Sequence, residues 1–73
     1  MARRVVRPEA VVRVRVGLHR LTAERWPGRG WVFACPTMPD LAGRYDGAGD
    51  AVPAIEEFTR RAAAEGYSAR PAG

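Results

Sequence analysis

From Asp50 to Gly66 the chain carries a full set of helix signals, and one amphipathic helix is the strongest constraint on what it can fold into. Asp50 stands at the N-cap position, its carboxylate able to accept from the free amides of the first turn. Pro53 falls inside that turn, where a missing amide hydrogen costs little. Ala51, Ile55, Phe58 and Ala62 recur at spacings of three and four and draw one apolar stripe. On the opposite side Glu56 with Arg60 and Glu57 with Arg61 are i, i+4 pairs in the favourable acid-first order, each worth ~0.2–0.5 kcal/mol. They read as a solvated face. Gly66 is placed to end the helix in a left-handed conformation.

An apolar stripe needs a surface to lie on, and the earlier sequence supplies one. Ala10 to His19 reads AVVRVRVGLH, with Val12, Val14, Val16 and Leu18 on one face and Arg13, Arg15 and His19 on the other. The valine face is expected to meet Ile55 and Phe58. Arg20 to Arg29 reads as the connection to the next strand, with Trp26-Pro27-Gly28-Arg29-Gly30 as its turn signal. Trp31, Phe33 and Cys35 then alternate with Val32 and Ala34 in a second strand, which Pro36 and Pro39 stop. Leu41 to Asp46 reads as a third, short strand with Arg44 and Tyr45 on opposite faces, and Asp46-Gly47-Ala48-Gly49 is turn chemistry. The expected fold class is α+β: a three-stranded antiparallel sheet with one helix packed on one face, in β-β-β-α order. Residues 1–9 are expected to form a flexible basic arm, 10–67 a single domain, and 68–73 a tail that either adds a short fourth strand or stays disordered.

A chain of 73 residues makes one domain that buries only roughly 60–65% of its unfolded surface. A two-layer fold of this size leaves one sheet face and two edges to be covered, so a homodimer is expected. Cys35 is the single cysteine, which excludes a disulfide framework within one chain; it reads as a small buried hydrophobe and points to a reducing compartment. No apolar run reaches a membrane span, and the N-terminus lacks the apolar core of a signal peptide, so the expected location is cytoplasmic. Lysine is absent and all twelve basic residues are arginine. They are unevenly spread. Residues 1–30 carry eight arginines against two glutamates, and residues 31–73 four arginines against six acids, balances of +6 and −2 that return the net charge of +4. Such asymmetry favours self-association or contact with a phosphate backbone.

Little catalytic chemistry is on offer. One histidine, His19, and one cysteine, Cys35, are too few ligands for a structural zinc site or for a supported cysteine nucleophile. His19 reads as an ordinary surface residue of its strand. Asp40, Asp46, Asp50, Glu56 and Glu57 are numerous enough to suggest a two-metal nuclease, but the cap and the solvated helix face already use three of them. Gly47-Ala48-Gly49 lacks the lysine and spacing of a phosphate-cradling loop. Neither a metal, a cofactor nor an enzyme activity is expected.

The order of elements, with Gly30-Trp31-Val32-Phe33-Ala34 as a strand, Pro36-Thr37-Met38-Pro39 as a loop, and Gly49-Asp50 with Glu56-Glu57 as turn and helix start, resembles the HicB-like antitoxin family over about Val11 to Glu65. That family comprises small proteins with a partial ribonuclease H fold. Asp40 stands where the family has glycine, Pro53 replaces an acidic residue, the hairpin loop is longer, and no DNA-binding extension follows the helix. The chain is also basic where such antitoxins tend to be acidic. The resemblance implies a non-catalytic interaction protein, the antitoxin of a toxin–antitoxin pair, that binds a protein partner of the ribonuclease-toxin kind. Trp26, Trp31 and Tyr45 are its candidate partner contacts, with Trp26 read either as a lid on the core or as an exposed anchor. The alternative is a nucleic-acid-binding module that uses Arg3, Arg4, Arg7, Arg13 and Arg15 as phosphate contacts.

Overall fold

The computed structural model describes residues 7–67. Three strands, β1 (Ala10–Val16), β2 (His19–Trp26) and β3 (Gly30–Ala34), form an antiparallel sheet in the order β1-β2-β3. Two helices follow, α1 (Pro39–Arg44) and α2 (Val52–Ala62), and α2 runs on into a π turn at Ala63–Tyr67. The α+β class with a three-stranded antiparallel sheet and a helix laid on one face is as the residue pattern implies. One of the strands, β2, is not the one expected.

The stretch read as a connection, Arg20 to Arg29, is mostly β2, the central strand. HRLTAERW alternates cleanly, with His19, Leu21 and Ala23 buried and Arg20 and Trp26 turned the other way. What makes this possible is the two-residue turn Gly17-Leu18, which joins paired Val16 and His19. Positive φ at Gly17, 60°, with none at Leu18, is the II′ pattern that matches strand twist. Leu18 therefore leaves the valine face and is 79% exposed. His19 moves the other way, from the expected surface into the core layer. The segment read as a third strand, Leu41 to Asp46, lies largely in α1. Pro39 presets φ in its first turn, Asp40 and Arg44 suit the two ends of its dipole, and Leu41 and Met38 are buried beneath it.

The core lies between the inner sheet face and the helices. Leu21, Ala23, Phe33 and Cys35 meet Met38 and Leu41 from α1 and its approach, and Ala51, Ala54, Phe58 and Ala62 from α2. Val14 and Val16 pack at its margin, whereas Val12 on the same face stays 36% exposed. The expected stripe holds except that Ala54, not Ile55, is fully covered. The N-cap is Ala51, one residue later than expected, and it makes no side-chain cap bond; Asp50 just before it accepts from the amide of Val52 at 3.0 Å.

The α1–α2 connection seals part of the β3 edge. The Trp31 amide donates to the Ala48 carbonyl (2.9 Å) and the Gly47 amide to the Trp31 carbonyl (2.8 Å). This close approach needs glycine at 30. A Cβ there would sit 2.8 Å from the Gly47 carbonyl oxygen and 2.9 Å from that of Ala48, and φ is +86°. Gly28 shares the positive φ, +72°, but faces open space. Gly30→Ala should therefore lower stability by roughly 1–3 kcal/mol and by clearly more than Gly28→Ala; denaturant midpoints of the two variants check the difference.

Across the helices, Asp40, Arg44, Glu57 and Arg61 form one ionic bracket. Arg44 donates to both carboxylate oxygens of Glu57 (2.8 and 2.7 Å), Arg61 reaches both oxygens of Asp40 (2.9 and 3.3 Å), and the Tyr45 hydroxyl donates to Glu57 (2.8 Å). The Tyr45 hydrogen bond, with help from Arg44, holds the Glu57 carboxyl below its ordinary 4.5, and the Arg61 hydrogen bond holds Asp40 below its ordinary 3.8. A carboxyl depressed in the folded state contributes stability above its unfolded value and loses it as pH falls through the folded one. The unfolding midpoint should thus decline with acidification below about pH 4.5, and Glu57→Gln should flatten that decline. The same hydrogen bond raises the Tyr45 phenol above 10.0, so its contribution is present below that pH and fades above it.

Candidate nucleic-acid interface on the open sheet face

The helices cover one sheet face, and the register decides what stands on the other. Arg15 faces Arg20, Arg13 faces Thr22, which faces Ala34, and Val11 faces Glu24, which faces Val32. Trp26 lies opposite Gly30 at the far end. Cross-strand neighbours share a face, so Arg13, Arg15 and Arg20 converge at one end of the open side. With Thr22, Ala34 and Pro36 they line an open groove of about 510 Å³.

Opposite like charges in a sheet are unfavourable, and Arg15 against Arg20 is such a pair. Arg25 is answered by Glu9 at 3.5 Å, Arg29 by Asp46 at 4.0 Å, and Arg44 and Arg61 within the helix bracket, whereas Arg7 and Arg60 stand singly among the described residues. Among the described residues no carboxylate pairs with Arg13, Arg15 or Arg20. Three guanidinium groups beside small neutral side chains form a surface of fixed positive charge with planar, bidentate donors, the chemistry that fits phosphate or carboxylate.

The candidate residues divide accordingly. Arg13 and Arg15 stand in the groove, and Arg20, missed because its segment was read as a loop, joins them; the alternation of HRLTAERW was the available signal. Arg7 is exposed but precedes β1, at the end of the strand away from Arg15, and Arg3 and Arg4 lie outside the described residues. Of the three candidate partner contacts, Trp26 alone is on the open face. It is half-buried, and its indole N–H donates to Glu24 at 3.2 Å. Trp31 is on the inner face, packed at the core margin. Tyr45 is used internally: its ring stands edge-on to Phe33 (6.3 Å between centroids) and beneath the Arg44 guanidinium (5.8 Å), and its hydroxyl goes to Glu57. Among the described residues no group of three or more His, Cys, Asp or Glu side chains is placed to hold a metal ion, and no helix is long and apolar enough to cross a membrane. Compared with known proteins, the chain matches no family model, no curated protein and no solved structure.

Proposed function

We propose that this protein binds nucleic acid through its open sheet face, with Arg13, Arg15 and Arg20 as phosphate contacts. The observation that carries the reading is the convergence of three arginines lacking carboxylate partners, two of them directly opposed, on one groove. Side chains that repel one another in the free protein gain most from a polyanion, because each phosphate contact also releases condensed counterions. Thr22 and Ala34, both small and neutral, line the same groove. A cytoplasmic location goes with this reading, and the free, buried thiol of Cys35 is suited to that reducing environment.

Binding of a labelled single-stranded oligonucleotide, followed by anisotropy across a salt series, tests the reading. Three phosphate contacts give a log–log slope near −2, about −0.7 per contact. Replacing any of Arg13, Arg15 or Arg20 with serine should reduce that slope by about 0.7 and weaken binding. Arg60→Ser, which removes another arginine without a carboxylate partner, this one from the exposed side of α2, should leave it unchanged. Salt-insensitive binding, or equal loss in Arg60→Ser, contradicts the proposal.

A second reading draws on Trp26, half-buried on the same face, and on the edge of β1, unpaired among the described residues, with Val11 40% exposed. Here the protein is a HicB-like interaction module, an antitoxin-like homodimer that covers a protein partner of the ribonuclease-toxin kind. Trp26→Ala would then abolish capture of the partner while the arginine variants retain it, the reverse of the order expected for a phosphate-binding face.

A further inference from the structure

On the inner side of the sheet, α2, the π turn that follows it and the β3–α1 loop all reach His19. The ring is buried, 8% exposed, at the start of β2, and stands edge-on to Phe58 with centroids 6.5 Å apart. Its Nε2 lies 2.8 Å from Oε1 of Glu65 in the π turn, and its Nδ1 lies 2.6 Å from Oγ1 of Thr37 in the β3–α1 loop. Thr37 Oγ1 is also 3.7 Å from Sγ of Cys35. A carboxylate only accepts, so Nε2 donates to Glu65. In the neutral ring the other nitrogen is then an acceptor, and the Thr37 hydroxyl donates to it. The remaining lone pair of that hydroxyl is free to accept from the Cys35 thiol. The wire therefore runs in one direction, from thiol through hydroxyl and imidazole to carboxylate.

A hydroxyl donating to an imidazole whose far nitrogen is held by a carboxylate is the arrangement that activates an oxygen nucleophile. Two features make it usable here. Thr37 is exposed while His19 is buried, so a small molecule can reach the hydroxyl and water has poor access to the base. The hydroxyl is also held in position: Pro36 and Pro39 flank the loop, and the Met38 amide donates to the Cys35 carbonyl at 3.0 Å to close the turn around Thr37.

We infer that Thr37 is an activated nucleophile that takes an acyl group from an activated carboxylic ester, with His19 as general base and Glu65 as the positioning residue for the ring. Oγ of Thr37 attacks the carbonyl carbon while its proton passes to Nδ1 of His19. The tetrahedral adduct then collapses; the bond to the leaving alcohol or phenol breaks, and that oxygen receives the proton from His19. Acyl-Thr37 and the free alcohol are the products. This activity is independent of the open sheet face, on the other side of β2.

The full chain incubated with p-nitrophenyl acetate tests the inference, with phenolate release followed optically and the adduct located by peptide mass mapping. The absence of lysine removes the usual source of background acylation. One acetyl group on Thr37 is expected, lost in Thr37→Val, which removes the hydroxyl bonded to His19, and retained in Thr37→Ser, which keeps it. Removing a general base lowers such a rate by about 100-fold or more, the loss expected for His19→Asn. Because that variant removes a buried ring, Glu65→Gln provides the second arm: the maximal acylation rate should fall with little change in the ester concentration giving half of it. A folded protein with no acetyl on Thr37, with acetyl only on the α-amine or Cys35, or with unchanged acylation in Glu65→Gln overturns the inference.

Discussion

Burial of the α2 stripe against the inner sheet face is the interaction on which the rest of this structure depends. Phe58 is fully covered at the centre of the layer, and Ala23, Ala54 and Ala62 around it are fully covered as well, so small residues on both sides let the helix approach the sheet closely. In a domain this small, truncating such a phenylalanine to alanine costs about 3–5 kcal/mol, comparable with the whole stability of many domains. The remaining elements are arranged around that contact. α1 closes one margin of the core with Met38 and Leu41, and the glycine-rich connection ties α2 back to β3 through Trp31.

Committing one sheet face to packing leaves the other with no structural duty, and that face holds the charge conflict. Arg25, Arg29, Arg44 and Arg61 are matched with acids, even at exposed sites where such pairs contribute little to stability. On the open face Arg15 and Arg20 oppose one another and Arg13 stands beside them, with the nearest acid of that face, Glu24, engaged by the Trp26 indole. An uncompensated cluster costs the free protein a little, and a polyanion lying across it turns that cost into attraction.

The helix was legible because Pro53 and the Phe58 stripe agree with one another, and β1 and β3 because their alternation is unbroken; the cap position was not, since it falls on Ala51 rather than Asp50. The differences share one cause. Gly17 reads as a strand residue within AVVRVRVGLH, which hides the two-residue turn, makes the central strand read as a loop, and leaves Leu41–Asp46 to read as a third strand although Pro39-Asp40 is a helix start. Arg13 and Arg15 could be placed on the solvent face from alternation alone, whereas Arg20 and the burial of His19 both depended on that turn. The His19–Glu65 contact joins residues 46 apart in sequence, and no local periodicity signals it. Tyr45 carried no sign that Glu57 and Phe33 would absorb its hydroxyl and ring.

Amide and arginine Nε–H resonances of isotopically labelled protein, followed during titration with a short single-stranded oligonucleotide at low salt, test the central claim most directly. Shifts centred on Arg13, Arg15, Arg20, Thr22 and Ala34, with the helix amides around Phe58 little changed, are the expected result. Shifts confined to α2, or none at all, would contradict the assignment of the open sheet face as the binding surface.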